Sequence, residues 1–440
     1  MKMRQSCSEE KKLKIKESMR ATKEKRSHQV CRVFKIKIDQ SKLTKRQAEQ
    51  LKMMFVEGKW IKNSRLAWAK ETGKSIFDCI LPHKHEQVLV KSKDGKQELR
   101  ELKFIGSQMA QDVVADMKSN LKTIIKLTKK GLQKHGELKF VSELTMLNLR
   151  QYGTTYKFKN HKRMKIQGVS GLVSISGAKQ FLEDKNIEIA SAKLLNTPKG
   201  YYVAVTTFIS NTKVPKIKTN GKNIALDLGC ETTVTYSDGR KQSVSVGETE
   251  RLKRLQRKFA KQIKGSNNRN RTKGLIQAEY QKIDNKKTDA SNKIVSELKY
   301  YDNVVIQDEQ LTKWHKNGHG RKVQHSCLGR IKSKLKNMNN VLVLASNIPT
   351  TKICMNCGTI HNMPQSRRRF HCECGETGDR DVHAAQNMLK IARMLLGRDL
   401  TVPVGRREFK REEFLKAYSE KFGKDYETLR HEADKPLGCR

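Results

Sequence analysis

No apolar run in this 440-residue sequence approaches the length of a membrane span, and its basic start, KKLKIKESMRATKEKR, lacks the apolar stretch of a secretory signal. A spanning or exported chain is excluded on that reading, and a cytoplasmic one is expected. Hydrophobic residues are also sparse, at 36%. At this length that still allows two or three domains with a sizeable core. The third shortage is of acid: 45 Asp and Glu stand against 92 Lys and Arg, a formal net charge of +47. Solubility needs far less, so the excess implies a large polyanionic partner, nucleic acid being the obvious one. Disulfides are not expected, because thiols stay reduced inside the cell; of the 10 cysteines, four fall in two close pairs, which points to metal.

Residues 1–30 read as a charge-rich basic arm that orders only on a partner. VCRVFKIKI, residues 30–38, alternates apolar and basic side chains and predicts a strand. The next segment spaces Leu51, Met54, Phe55 and Trp60 as one helical face behind a cap at Ser41 or Thr44. A second helix is predicted within residues 102–130, with Ile105, Met109, Val113 and Met117 on one side. Between residues 155 and 220, short β-type runs such as GLVSIS and YYVAVTTFI are bounded by glycines, so the first strand is expected to pair with them in a barrel-like module. The segment VPKIKTNGKN then marks a boundary. Trp60, Trp68 and Trp314 could stack on bases, but isolated tryptophans read first as packed side chains, and Cys230 reads as a structural thiol.

NIALDLGCETTVTYSDGRKQSVSV predicts two or three antiparallel strands with a hairpin turn at residues 237–239, and it places Asp227 inside the first apolar run. A carboxylate there is costly to bury unpaired, and a divalent metal is an economical partner; the plainer alternative is an Asp that opens a turn at Leu228 and Gly229. YYDNVVIQDEQL repeats the pattern, with Val304 to Ile306 leading to Gln307, Asp308 and Glu309. Side chains alternate along a strand, so Asp308 and Glu309 cannot both enter one site. Asp379 and Asp381 precede an alanine-rich amphipathic helix, where either also suits an N-terminal cap. Three carboxylates from distant segments suit two magnesium ions about 3.5–4 Å apart, one activating water and the other stabilising the leaving oxygen of phosphodiester hydrolysis.

Cys354 and Cys357 form C-x-x-C, and Cys372 and Cys374 close the set after the basic loop SRRRF. That spacing predicts a zinc ribbon with tetrahedral thiolate coordination of one structural Zn2+. His371 is an alternative to Cys372, and His361 a weaker one. Arg251, Lys253, Arg254, Arg257, Lys258, Lys261, Arg269 and Arg271 alternate with Leu252, Leu255 and Phe259. One face of the predicted helix is apolar while the other can follow a phosphate backbone.

In order, ALDLG, a basic two-helix insert, VVIQDEQL, CMNC, CEC and DRDVHAAQN make the sequence resemble the RuvC-containing, transposon-encoded TnpB proteins and the miniature type V-F CRISPR effectors descended from them. The resemblance covers most of the chain, including RLKRLQRKFAKQIKGSNNRNRTKGL, DASNKIVSEL, LLNTPKGYYVAVT and LTKRQAEQL. It implies an α+β multidomain fold: a basic arm (1–30); a β-barrel-like wedge module (31–220) with a helical recognition insert (about 41–150); an RNase H-like RuvC nuclease (221–350 and 377–398) with a basic helical insert (250–300); a zinc ribbon (351–376); and a C-terminal tail (399–440). The catalytic acids of the family correspond to Asp227, Glu309 and Asp381. Leu311, two residues after Glu309, matches the family's Glu-x-Leu, and Asp381 directly precedes the apolar-x-Ala-Ala pattern. His383 stands where the family more often has Asn, and the second cysteine pair is C-x-C instead of C-x-x-C.

The function so implied is that of an RNA-guided, magnesium-dependent endodeoxyribonuclease in a prokaryotic cytoplasm, cutting double-stranded DNA beside a short protein-read motif. Its partners would be guide RNA and target DNA, with no membrane, acting as a monomer or as a homodimer. A nuclease-inactive or accessory nucleic-acid-binding protein and a transposase proper are the alternatives. The ribbon's exit strand would deliver Asp381 to the start of a helix on the nuclease sheet, so that structural metal positions a catalytic residue.

Overall fold

The computed structural model describes residues 9–92, 95–132, 136–215, 217–314, 318, 320–364, 366–400 and 402–428. Residues 1–8 of the expected arm and 429–440 of the expected tail lie outside the described residues. The chain divides into two compact units, Met1–Pro215 and Lys216–Arg440. No described helix is long and apolar enough to cross a membrane.

In the first unit, α1 (Glu9–Ser27) is a helix of Lys and Glu with no Gly or Pro to break it. Its last turn is anchored by Lys25 and Arg26, which pair with Glu188 at 2.9 and 2.8 Å. The arm therefore has helical order within the chain's own fold, where order only on a partner was expected. After β1 (Gln29–Ile38) comes α2 (Lys45–Thr72), whose cap is Thr44, joined with Gln47 in a capping box. The hairpin β2 (Gln87–Lys91) and β3 (Gln97–Glu101), unread in the sequence, leads to α3 (Ser107–Lys129). Then follow β4 (Met146–Leu149), β5 (Tyr156–Asn160), β6 (Arg163–Ile166), β7 (Val173–Ser176), the short α4 (Lys179–Leu182), β8 (Ile187–Thr197) and β9 (Gly200–Ser210). Seven of the strands form one sheet in the order β4-β8-β9-β1-β7-β6-β5, with β1 antiparallel to both β9 and β7. Tyr156, on the far edge strand β5, donates its hydroxyl to Ala190 O of β8 at 3.1 Å. The sheet thus curls back on itself, as the barrel-like expectation required, around a core that takes in Leu51, Met54 and Phe55 of α2 and Met109 of α3.

The second unit runs β10 (Asn223–Asp227), β11 (Val234–Tyr236), β12 (Lys241–Gln242), α5 (Glu250–Lys261), α6 (Asn267–Leu298), β13 (Asn303–Gln307), α7 (Leu311–Trp314), α8 (Gly320–His325), α9 (Leu328–Leu335), β14 (Val341–Leu344), β15 (Arg369–His371), β16 (Thr377–Asp379), α10 (Arg380–Leu396), β17 (Arg407–Phe409) and α11 (Arg411–Phe422). Six strands form a mixed sheet in the order β12-β11-β10-β13-β14-β17, parallel from β10 through β17. Parallel strands are buried on both faces, and period-2 alternation sorts their side chains. Ile224, Leu226, Val304, Ile306, Val341 and Val343 pack with α6 and α9. Ala225, Val305, Leu342 and Leu344 pack with α10 and α11. Two expectations are corrected. Asp227 is the last residue of β10, not an interior one, because the ladder stops there although Leu228 is still buried. The segment from residue 399, expected as a tail, instead contributes β17 to the sheet, and α11 contributes Phe414 and Tyr418 to the core.

Candidate functional site

Strand parity places Asp227 on the α10 side of the sheet, since Ala225 two residues earlier packs there. Its carboxyl is enclosed by protein while the residue as a whole keeps some surface in solvent. Burial, then the negative fields of Asp381 and Glu309, push its pKa up to about 7 against the opposing charge of Arg380. The turn after β13 and the first turn of α10 therefore bring the carboxylates of Glu309 and Asp381 within electrostatic reach of Asp227 at the end of β10. Burial likewise pushes Glu309 up to about 7, with Lys332 acting against it.

The neighbouring acids behave differently. Asp308 offers one oxygen, Oδ1, to the ammonium groups of both Lys332 and Lys336, each at 2.7 Å. Burial alone would raise its pKa, but these ion pairs outweigh it and hold the carboxyl below its ordinary value. Asp379 caps α10: Oδ1 accepts from the N–H groups of Asp381 (3.0 Å) and Val382 (3.2 Å), and Oδ2 pairs with Lys241 on β12 at 2.8 Å. The ion pair and those N–H donors overcome burial and lower its pKa too. Asp227, Glu309 and Asp381, by contrast, pair with no lysine or arginine among the described residues, and their carboxylate oxygens are hard donors. Sequence reasoning missed Lys241, Lys332 and Lys336. The i, i+4 spacing of the last two beside Leu328, Ile331 and Leu335 marks a shared helix face, but nothing local names the acid they meet.

Among the described residues, the only group of three or more potential ligand side chains whose donor atoms all lie within 4.8 Å of one another is Cys354, Cys357, Cys372 and Cys374. Cys354–Cys374 and Cys357–Cys372 sulfurs are 3.5 Å apart, too far for disulfides. Zinc–sulfur bonds of about 2.3 Å would set tetrahedral sulfurs about 3.8 Å apart, so the cluster fits one closed Zn2+ site. His371 is exposed and stands outside the group, and His361 lies edge-on to Phe370 at 5.1 Å. Burial raises the Cys354 and Cys372 thiols, whereas at Cys357 the Thr359 hydroxyl and N–H outweigh burial and bring it down to about 6. Both cysteine turns end on a glycine at positive φ, Gly358 (78°) and Gly375 (94°), where an L side chain is strained.

The ribbon is gripped from two sides. His383 of α10 stacks on Phe370 with ring centroids 3.6 Å apart, and its Nε2 donates to Ile353 O at 3.1 Å. Asn387, one turn on, donates to Thr350 O (2.8 Å) and Ile353 O (2.7 Å). From α11, the Tyr418 hydroxyl donates to Gly358 O, and beyond the helix Lys424 donates to Cys357 O at 3.0 Å. The helix that carries Asp381 in its first turn is thus bonded directly to the backbone leading into the first cysteine pair.

Of the basic residues expected to meet nucleic acid, Arg254, Arg257, Lys258, Lys261 and Arg271 are exposed and pair with no carboxylate among the described residues. The other three are engaged within the fold. Arg251 pairs with Glu279 at 3.4 Å and Lys253 with Glu250 at 2.7 Å, while Arg269 donates to Gln262 O and lies 4.1 Å over the Phe259 ring.

A family model described as "Probable transposase" (OrfB_IS605) matches residues 204–316, and one described as "Cas12f1-like, TNB domain" matches residues 326–388. A Streptomyces pristinaespiralis protein named "Putative RNA-guided DNA endonuclease" is 29% identical over 177 residues, covering 38% of this chain and 44% of that protein. A Paramecium bursaria Chlorella virus 1 protein named "Putative transposase A625R" is 37% identical over 60 residues, 14% of each chain. The matched stretch thus spans less than half the length of either relative. A solved structure titled "Cryo-EM structure of the Cas12f1-sgRNA-target DNA complex" aligns over 78% of this chain and 81% of its own at 12% identity, with a TM-score of 0.42. Through its two family models and its endonuclease-named relative, the chain resembles the TnpB proteins and miniature type V-F effectors, as its motifs implied.

Proposed function

We propose that this chain is an RNA-guided DNA endonuclease with a magnesium-dependent, RuvC-like centre formed by Asp227, Glu309 and Asp381. The observation that carries the reading is the approach of three carboxylates from elements far apart in sequence, close enough for two of them to raise the pKa of the third. Magnesium held by these residues would supply the charge that activates a water and stabilises the leaving oxygen. The chain's own part is placement: sheet alternation aims Asp227 toward α10, and the ribbon-bonded helix α10 carries Asp381. Cys354, Cys357, Cys372 and Cys374 would hold one Zn2+ that is closed to water and therefore structural. Guide RNA and target duplex are the proposed partners. A net charge of +47 suits backbone contacts while base pairing selects the sequence.

The test uses two plasmids differing only in the guide-matching segment, each with cognate, swapped and absent RNA in magnesium. Cutting should occur only where the guide pairs beside a short motif, with mismatches nearest that motif tolerated least. Asp227→Ala, Glu309→Ala and Asp381→Ala should each abolish cutting and keep nucleic-acid binding, while Asp308→Ala is milder. Cleavage indifferent to the RNA would make this a nonspecific nuclease. Tight RNA binding without any cleavage would favour an accessory binding protein.

A further inference from the structure

Two of the three acidic segments contain a pair of carboxylates, Asp308 with Glu309 and Asp379 with Asp381, and in each pair one member is bound by lysine from another element. We propose that Lys332, Lys336 and Lys241 are positioning residues that withdraw Asp308 and Asp379 from the site and leave Glu309 and Asp381 to face Asp227. This rests on the nuclease reading of those three acids.

The geometry at Asp308 is the stronger half. Two ammonium groups converge on a single oxygen, and Lys332 and Lys336 are only 19% and 29% exposed, so the pairs are partly shielded from solvent. Lys332 also donates to the backbone carbonyl of Glu309. One side chain therefore holds the carboxylate of Asp308 and the peptide that follows Glu309. Its base is rigid, because Leu328, Ile331 and Leu335 seat α9 in the core beneath β13. At the second doublet, Lys241 takes one oxygen of Asp379 while the other bonds the N–H of Asp381, so β12 and the cap of α10 are tied together.

The rival role for these lysines is to hold a phosphate. An open cleft of about 650 Å³ beside Glu309 is lined by Asp308, Lys332, Lys336 and Arg406. Both lysines are already aimed at Asp308, and Arg406 pairs with Glu408 at 3.0 Å, so the cations lining it are internally compensated.

The two roles separate by rescue, tested on the full chain with its guide RNA. Lys332→Met/Lys336→Met should lower the cutting rate and weaken Mn2+ binding, read by electron paramagnetic resonance, each by about 10- to 100-fold, the usual cost of losing a group that orients a metal ligand. Adding Asp308→Asn removes the charge the lysines were holding and should recover most of both losses. Lys332→Arg/Lys336→Arg should stay near the parent. A triple variant no better than the double, or a double variant equal to the parent, overturns the proposal. If the double variant fails to fold, Asp308→Asn decides alone: a loss on both readouts as large as that from Glu309→Ala would place Asp308 itself among the ligands. Cutting that survives Asp227→Ala refutes the nuclease reading instead, and the Mn2+ measurement still tests the lysines.

Discussion

Asp227 should be a source of instability when no divalent cation is present. Its pKa is raised from 3.8 to about 7 by burial and by Asp381 and Glu309, so the folded chain holds this proton more tightly than the unfolded chain does. The stabilising proton is fully in place below about pH 4 and is lost as pH rises through about 7. A shift of about three units at 1.36 kcal/mol each is at most about 4 kcal/mol, and partial solvent access brings the expectation to about 2–4 kcal/mol. Asp227→Asn imitates the neutral carboxyl at every pH. Denaturant unfolding of protein dialysed free of magnesium, without chelator so that thiolate-bound zinc stays, should show parent and variant alike near pH 4. At pH 8 the variant should be the more stable by that amount. Millimolar magnesium should then stabilise the parent at pH 8 and leave the variant nearly unmoved, since a ligand that binds only the folded state raises its stability. A variant less stable than the parent at pH 8 without magnesium would refute the reasoning, because the ionised carboxylate would then be stabilising the fold on its own.

Elemental analysis should find about one zinc per chain, and Cys354→Ser or Cys357→Ser should lower both zinc content and stability; zinc retained in full after Cys372→Ser would pass that ligand role to His371. Asn387→Leu strips the side-chain donor from the buried Thr350 O and leaves Ile353 O with His383 alone, and should cost about 1–3 kcal/mol and speed zinc release to a chelating dye. Unchanged release would mean that the ribbon does not depend on α10. Replacing Arg254, Arg257, Lys258 and Lys261 together with Ala should reduce the slope of log affinity against log salt by up to about 3.6, each lost phosphate contact being worth about 0.9. The same change at Arg251 and Lys253 should matter less, because both already pair with acids.

Local pattern was sufficient for whatever depends on near neighbours. The spacing of Leu51, Met54 and Phe55 marked a helical face, and the four cysteines announced a cluster, because helix period and metal knuckles are short-range. Strand alternation, expected to separate Asp308 from Glu309, does not reach them, because β13 ends at Gln307; the two lysines on Asp308 are what set the pair apart. What the linear text could not carry was adjacency. Asp227 reaches Glu309 because β10 lies parallel to β13, with Leu226 beside Ile306 across an insert of two helices. The lysines that claim Asp308 and Asp379 come from α9 and β12, and their pairing depends on where those elements pack. β17 and α11 follow the last recognised motif, and it is their packing on the sheet edge, the core beside α10 and the ribbon that gives them their place. Residue type and spacing determined which groups could do chemistry; packing decided which of them meet, because ion pairs and parallel ladders join residues that no sequence period relates.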